Sequence, residues 1–158
     1  MLKYCLKKWD LFKDDLEERL KDDCSLNSCN YDYLFKLVVE CILNGGNINE
    51  FGACDYNWNV DEITVIDNGD YRGTLIFIVP RKTYQPSEGD YLITYVGYGS
   101  CSGCDTLQYI QKWNDNPPTE QQLKDYMMLC KDMLCNMVKP YNYGWRYDEL
   151  FETVEMEE

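Results

Sequence analysis

The chain contains no histidine. That absence removes His-dependent catalytic triads, histidine acids and bases, and zinc sites built on imidazole. Long apolar runs are missing as well, since no stretch approaches the roughly 18 residues of a membrane span. The first residues, MLKYCLKKWDLF, scatter charge where a signal peptide would keep a continuous apolar centre, so a cytoplasmic setting is expected. Positive charge is scarce: 15 basic residues face 28 acidic ones, a formal charge of -13. Holding a phosphate backbone takes clustered Lys and Arg, so direct contact with nucleic acid is not expected.

What is present is enough for a packed core. The 158 residues are 45% hydrophobic and 15% aromatic, so one domain can fold without disulfides or metal. Nine cysteines are an odd count in a chain with no export signal, and they read as reduced thiols. Cys41 and Cys130 fall at apolar positions of expected helices, where a free cysteine acts as a small hydrophobe.

Apolar spacing predicts a helix over Lys7 to Asp23 carrying Trp9, Phe12, Leu16 and Leu20 on one face. A second begins at the N-cap Asn30, runs through Leu34, Leu37, Val38, Cys41 and Ile42, and ends at Gly45-Gly46. Three strands follow: Glu62–Asp67, Gly73–Pro80 and Asp90–Tyr98, the first two joined by an Asn68-Gly69 turn. Short links favour an antiparallel meander, with the apolar middle strand covered on both faces. Two more helices are expected. Asp105 to Trp113 carries Leu107, Ile110 and Trp113; the other is opened by a Thr119/Gln122 capping box and presents Leu123, Met127, Cys130 and Leu134. From about Asp148 the tail is acidic. The expected fold class is a single α+β domain over 1–158: a small antiparallel sheet of about three strands packed with four or five helices.

The segment YLITYVGYGSCSGCDTLQYIQKW places a loop of small residues and two thiols between a strand and a helix. Its members are Tyr98, Gly99, Ser100, Cys101, Ser102, Gly103, Cys104 and Asp105. Four readings stay open. A CxxC at a helix start suits a redox pair, the helix lowering the pKa of the first thiol. Cys101 and Cys104 also have zinc-knuckle spacing, but four ligands are needed. Cys130 and Cys135 lie about 140° apart on a helix, which leaves Cys24 and Cys29 as the other candidates. Thirdly, the small residues could turn N–H groups toward an anionic or nucleotide-like ligand, with Tyr95, Tyr98 or Tyr109 as stacking surfaces. In that geometry Ser102 and Asp105 cap the helix reciprocally. The last reading is a structural turn.

The pairs Asp61/Glu62 and Asp67/Asp70 have the composition of an all-oxygen Mg²⁺ site, and equally of solvated turns. Aromatics in ACDYNWN and KPYNYGWRY, Trp58, Tyr143 and Trp145 among them, suit interface anchors or packing at a core edge. Acids cluster at Asp14, Asp15, Glu17 and Glu18, and again at Glu149 and Glu152 in the tail.

The segment from GDYRGTLIFIVP through YGSCSGCDTLQ resembles small proteins encoded by bacteriophages and prophages, in which a strand ends in a YGSCSGCD turn. The resemblance covers about the central third of the chain. It implies a phage setting and no particular chemistry. Accessory proteins of that kind act by stoichiometric binding. The expectation is therefore a non-enzymatic acidic inhibitor of a host defence protein with a basic surface, a counter-defence role in which the chain could act as a DNA mimic. The alternatives are a binder of a small anionic ligand through Tyr98–Asp105, and a CxxC redox or zinc protein. No cofactor is expected outside the zinc reading.

Overall fold

The computed structural model describes residues 1–22, 29–46, 57–112 and 117–140. The N-terminal apolar repeat folds as α1 (Leu2–Asp22), in which Cys5, Trp9, Leu16 and Leu20 are buried. It starts a turn and more before Lys7, because Cys5 extends the same apolar stripe one turn toward the N-terminus. α2 (Tyr31–Leu37) begins as the sequence predicts, with the Asn30 side chain accepting the Tyr33 N–H at 2.9 Å. It passes into a wider, π-type turn over Val38–Leu43, which no sequence pattern announces. The segment ends at Gly46, whose φ of 86° favours glycine. Cys130 is fully buried, whereas Cys41 is only half-buried.

The three strands are β1 (Thr64–Asp67), β2 (Gly73–Pro80) and β3 (Tyr91–Tyr98), antiparallel with β2 in the centre. This is the small α+β sheet expected from the sequence. Two details differ. The β1–β2 connection is a longer loop over 68–72, not a two-residue turn, and the Asp67 and Asn68 carboxylate and amide oxygens tie it down through Gly69 N–H and Thr74 N–H. Gly69 is required there, since a Cβ would lie 2.1 Å from the Arg72 carbonyl oxygen. Secondly, β2 is covered on one face only. Phe77 and Val79 are buried, while their neighbours Ile76 and Ile78 on the opposite face are half-exposed.

Helices pack against the Phe77 face. Phe35 of α2 meets Phe77 with ring centroids 4.7 Å apart. α3 (Thr106–Gln111) and α4 (Glu120–Cys135) complete that layer; α4 lies against α1 and β3, and its N-terminus carries the expected Thr119/Gln122 capping box. Gln122 is buried and donates to the Ile110 carbonyl at 2.9 Å, locking α3 to α4. After α4, Val138 pairs with Ile93 at the edge of β3. Of the two readings of Trp58, interface anchor or packing at a core edge, the structure agrees with packing, since the residue is 4% exposed. Residues 57–59 run beside 80–82, and the Asn44 side chain clamps the Trp58 backbone on both sides, which turns the indole inward.

Two buried groups give folding a pH signature of opposite signs. Burial pushes the Cys5 thiol up to about 12 and the Lys8 ammonium down to about 8. The folded state holds Lys8 neutral more readily than the unfolded chain, so stability rises from pH 8 toward 10.5 through this group. Cys5 contributes the reverse, with stability present below pH 9 and lost as the pH climbs toward 12. Burial raises Cys130 as well, and it acts with the same sign as Cys5. Urea midpoints should therefore peak near pH 9. Lys8→Met should flatten the rising limb, and Cys5→Ala should make the falling one shallower while Cys130 keeps its sign; a monotonic profile in the wild-type protein would refute both assignments.

Candidate functional site

The loop after β3 is held from below by one carboxylate. Asp105 is buried and is the N-cap of α3: its Oδ1 accepts the Gln108 N–H at 2.8 Å, and its Oδ2 accepts the Gly99 N–H at 3.0 Å. The Tyr31 hydroxyl donates to Oδ1 at 3.1 Å and accepts the Leu107 N–H at 3.2 Å. Gln108 closes the frame by donating to the Gly99 carbonyl at 3.0 Å. Asp105 caps alone; Ser102, expected as its reciprocal partner, lies out in the exposed turn. Tyr98 sits at the entrance, and its hydroxyl donates to Asp67 and the Gly69 carbonyl at 2.6 and 2.7 Å. That bond to Asp67, above all, raises the Tyr98 phenol to about 12, and the same contact first of all lowers Asp67.

Between these anchors Ser100, Cys101, Ser102, Gly103 and Cys104 are exposed. The chain doubles back so that Cys104 N–H donates to the Cys101 carbonyl at 3.0 Å. The two sulfurs lie 2.9 Å apart as free thiols, and the Cys101 N–H points at Cys104 Sγ from 3.2 Å. Hydrogen bonding from the Cys101 side chain, then from the Cys101 and Ser100 N–H groups and the Ser100 hydroxyl, lowers the Cys104 thiol below its ordinary range. The donors of the turn thus converge on the sulfur of the second cysteine. The cause is local donors within the turn, because α3 begins only at Thr106.

The glycine that this turn needs is Gly99. A Cβ there would stand 2.5 Å from the Cys104 carbonyl oxygen and 2.6 Å from Cys104 Sγ. At Gly103 a Cβ would meet only Cys101 Sγ, at an ordinary 3.8 Å. Of the N–H groups an anion cradle over Gly99, Ser100, Ser102 and Gly103 could draw on, that of Gly99 already has an acceptor, Asp105 Oδ2, and the neighbouring Cys101 N–H points at Cys104 Sγ. Among the described residues no group of three or more metal-ligating side chains accompanies the two thiols.

The other candidate positions are scattered. Asp14, Asp15 and Glu18 are exposed on α1 and Glu17 is half-buried, paired with Lys21 at 2.7 Å. Asp61, Glu62, Asp67 and Asp70 are exposed, the first two beside β1's start and the others at the hairpin loop. Tyr95 and Tyr109 are exposed, and Lys112 covers the Tyr109 ring at 3.8 Å. Cys24, Trp113, Tyr143, Trp145, Glu149 and Glu152 lie outside the described residues. Sequence reasoning missed Tyr31 and Gln108 as supports of the loop; the distance of Tyr31 along the chain left no signal to find. No helix among the described residues is long and apolar enough to cross a membrane. No protein-family model, curated protein or solved structure matches the chain.

Gly99→Ala should push Cys104 out of its donor set while Gly103→Ala leaves it in place. The measurement is the rate of iodoacetamide alkylation at Cys104 against pH, read by peptide mass spectrometry. Gly99→Ala is expected to move the midpoint to higher pH, and Gly103→Ala to leave it unchanged. Equal profiles for both variants would show that the turn does not set Cys104 reactivity. Asp105→Ala strands two N–H donors and a buried hydroxyl, and should lower stability by about 3 kcal/mol in urea unfolding.

Proposed function

We propose that the protein is a dithiol that exchanges with disulfides through Cys101 and Cys104. The observation that carries this reading is the exposed pair of sulfurs 2.9 Å apart on a turn pinned at both ends by Asp105. Cys104, as thiolate, attacks one sulfur of a substrate disulfide R–S–S–R′; a Cys104–S–S–R bond forms and R′–S⁻ leaves. Cys101 gives its proton to that leaving thiolate and attacks Cys104 Sγ. The Cys101–Cys104 disulfide closes, and R–S⁻ departs and takes a proton from water. Two electrons have passed from the dithiol to the substrate.

Intact-mass measurement of reduced protein treated with hydroxyethyl disulfide tests this directly. Wild-type protein should lose the mass of two hydrogens, with the new bond mapping to Cys101–Cys104. Cys101→Ser should instead retain a mixed disulfide on Cys104, and Cys104→Ser should react more slowly by about tenfold or more. No bond at this pair, or identical behaviour of the two serine variants, would overturn the assignment.

A second reading is favoured by a different observation. Tyr71 and Tyr84 stand 83% and 104% exposed on a chain of charge -13, and the central third resembles phage accessory proteins. On this reading the protein is an acidic inhibitor that docks on a basic host protein, charge setting the encounter rate and aromatics the affinity. α1 adds no net charge to such a surface: Asp10, Asp14, Asp15, Glu17, Glu18 and Asp22 are matched in number by Lys3, Lys7, Lys8, Lys13, Arg19 and Lys21. Affinity capture from bacterial lysate should then recover a basic partner, lost on Tyr71→Ala/Tyr84→Ala and on reversing the acidic positions of the tail.

A further inference from the structure

We propose that the outward row Ile66–Ile76–Tyr95 docks a polypeptide that brings its own disulfide to the Cys101–Cys104 turn. This rests on the thiol–disulfide reading above and adds the class of substrate. Ile66 pairs with Ile76 and Ile76 with Tyr95, so the three side chains stand side by side on one face of the sheet. Thr64, Ile78 and Ile93 form the neighbouring row. This face is the one that α1 to α4 leave open: Ile66 is 46% and Tyr95 53% exposed, and Ile76, Ile78 and Ile93 are half-exposed. On the other face Phe77, Val79, Leu92 and Thr94 are buried.

The apolar row and the thiols are joined along β3. From Tyr95 the outward side of β3 passes to Gly97, where a Cβ would meet only the Gly73 carbonyl oxygen at 4.0 Å, and then to the loop. Four residues of strand separate Tyr95 from Gly99, roughly 13 Å, which a few residues of extended substrate can span. Among the described residues Val138 pairs with β3 at Ile93 alone, so from Tyr95 to Gly97 its edge has no strand partner. A small disulfide such as oxidised glutathione has no use for an apolar row of this reach; a cystine within a polypeptide does. Asp61, Glu62, Asp67 and Asp70 are exposed at the ends of β1, against Arg72 in the hairpin loop, and so favour a substrate with basic flanks. An acidic disulfide would be slowed by the same field.

Stopped-flow oxidation of the reduced full chain tests the proposal with three probes. They are hydroxyethyl disulfide, oxidised glutathione, and a synthetic peptide whose single disulfide is flanked by leucine, tyrosine and arginine. The peptide is expected to react about tenfold faster than either small disulfide. Tyr95→Ser should abolish that advantage and leave the hydroxyethyl disulfide rate unchanged, which certifies an intact fold and site. Ile66→Ser, half-exposed at the sheet edge, should act in the same direction. A peptide advantage that is absent, or that survives both substitutions, overturns docking on this row while leaving the exchange chemistry standing. Failure of all three probes to oxidise Cys101 and Cys104 in the wild-type protein sinks the exchange reading, and the docking proposal with it.

Discussion

The Asp105 carboxylate holds together parts of the chain that are far apart in sequence. Its two oxygens take the N–H of Gly99 at the end of β3, the N–H of Gln108 in α3 and the hydroxyl of Tyr31 in α2. A carboxylate this buried is tolerated because its acceptor capacity is filled by fixed donors. In return it sets the direction in which the chain leaves the sheet. The turn from Ser100 to Cys104 hangs between two bonds to one side chain, and so the thiols are placed by the core without belonging to it. Tyr98 adds a second tether by binding Asp67 and Gly69, which couples the β1–β2 loop to the same end of the sheet.

The one-sided sheet follows from how few helices there are to cover it. α2, with its π-type extension, and α4 supply Phe35, Val38, Leu134 and Met133 to the face that holds Phe77, Val79 and Leu92. Thr94 can stay buried in that layer because its hydroxyl donates to the Met133 carbonyl. Among the described residues no helix covers Ile66 or Tyr95, which are 46% and 53% exposed. A strand that alternates Phe77 and Val79 with Ile76 and Ile78 carries enough apolar surface for two layers, and among the described residues only one is supplied. Single exposed apolar side chains need no explanation, but a contiguous row aligned across three strands differs from the scatter that a surface ordinarily shows.

The fold was legible wherever pattern and punctuation agreed. Asn30, Thr119 and Gln122 marked helix starts that the hydrogen bonds reproduce, and the ends of β2 were readable from Gly73 and Pro80. Reading failed where the deciding contact was distant. Trp58 sits in a loop-like run of Asn and aromatics, and only the pairing of 57–59 with 80–82 turns it inward. β2 reads as apolar throughout, and sequence cannot count the layers that will cover it. At the candidate site, the strand–loop–helix frame and the thiol spacing were visible. The donor set around Cys104 was not, because it depends on Cys101 and Ser100 donating back to Cys104 and on Gly99 making room for its sulfur.

The thiols of this chain fall into two classes by their surroundings. Burial drives the Cys5, Cys41, Cys130 and Cys135 thiols upward, away from the thiolate and hence from reaction. Cys104 goes the other way, and it does so on the surface of an acidic protein, whose field opposes any further negative charge. The effect must come from donors close enough to outweigh that field, and the donors are the turn's own backbone and side chains. A turn that only linked a strand to a helix would not need two sulfurs in contact, nor a glycine kept clear for one of them. Buried cysteines serve as apolar filler; the exposed pair lies at the surface with its two sulfurs 2.9 Å apart.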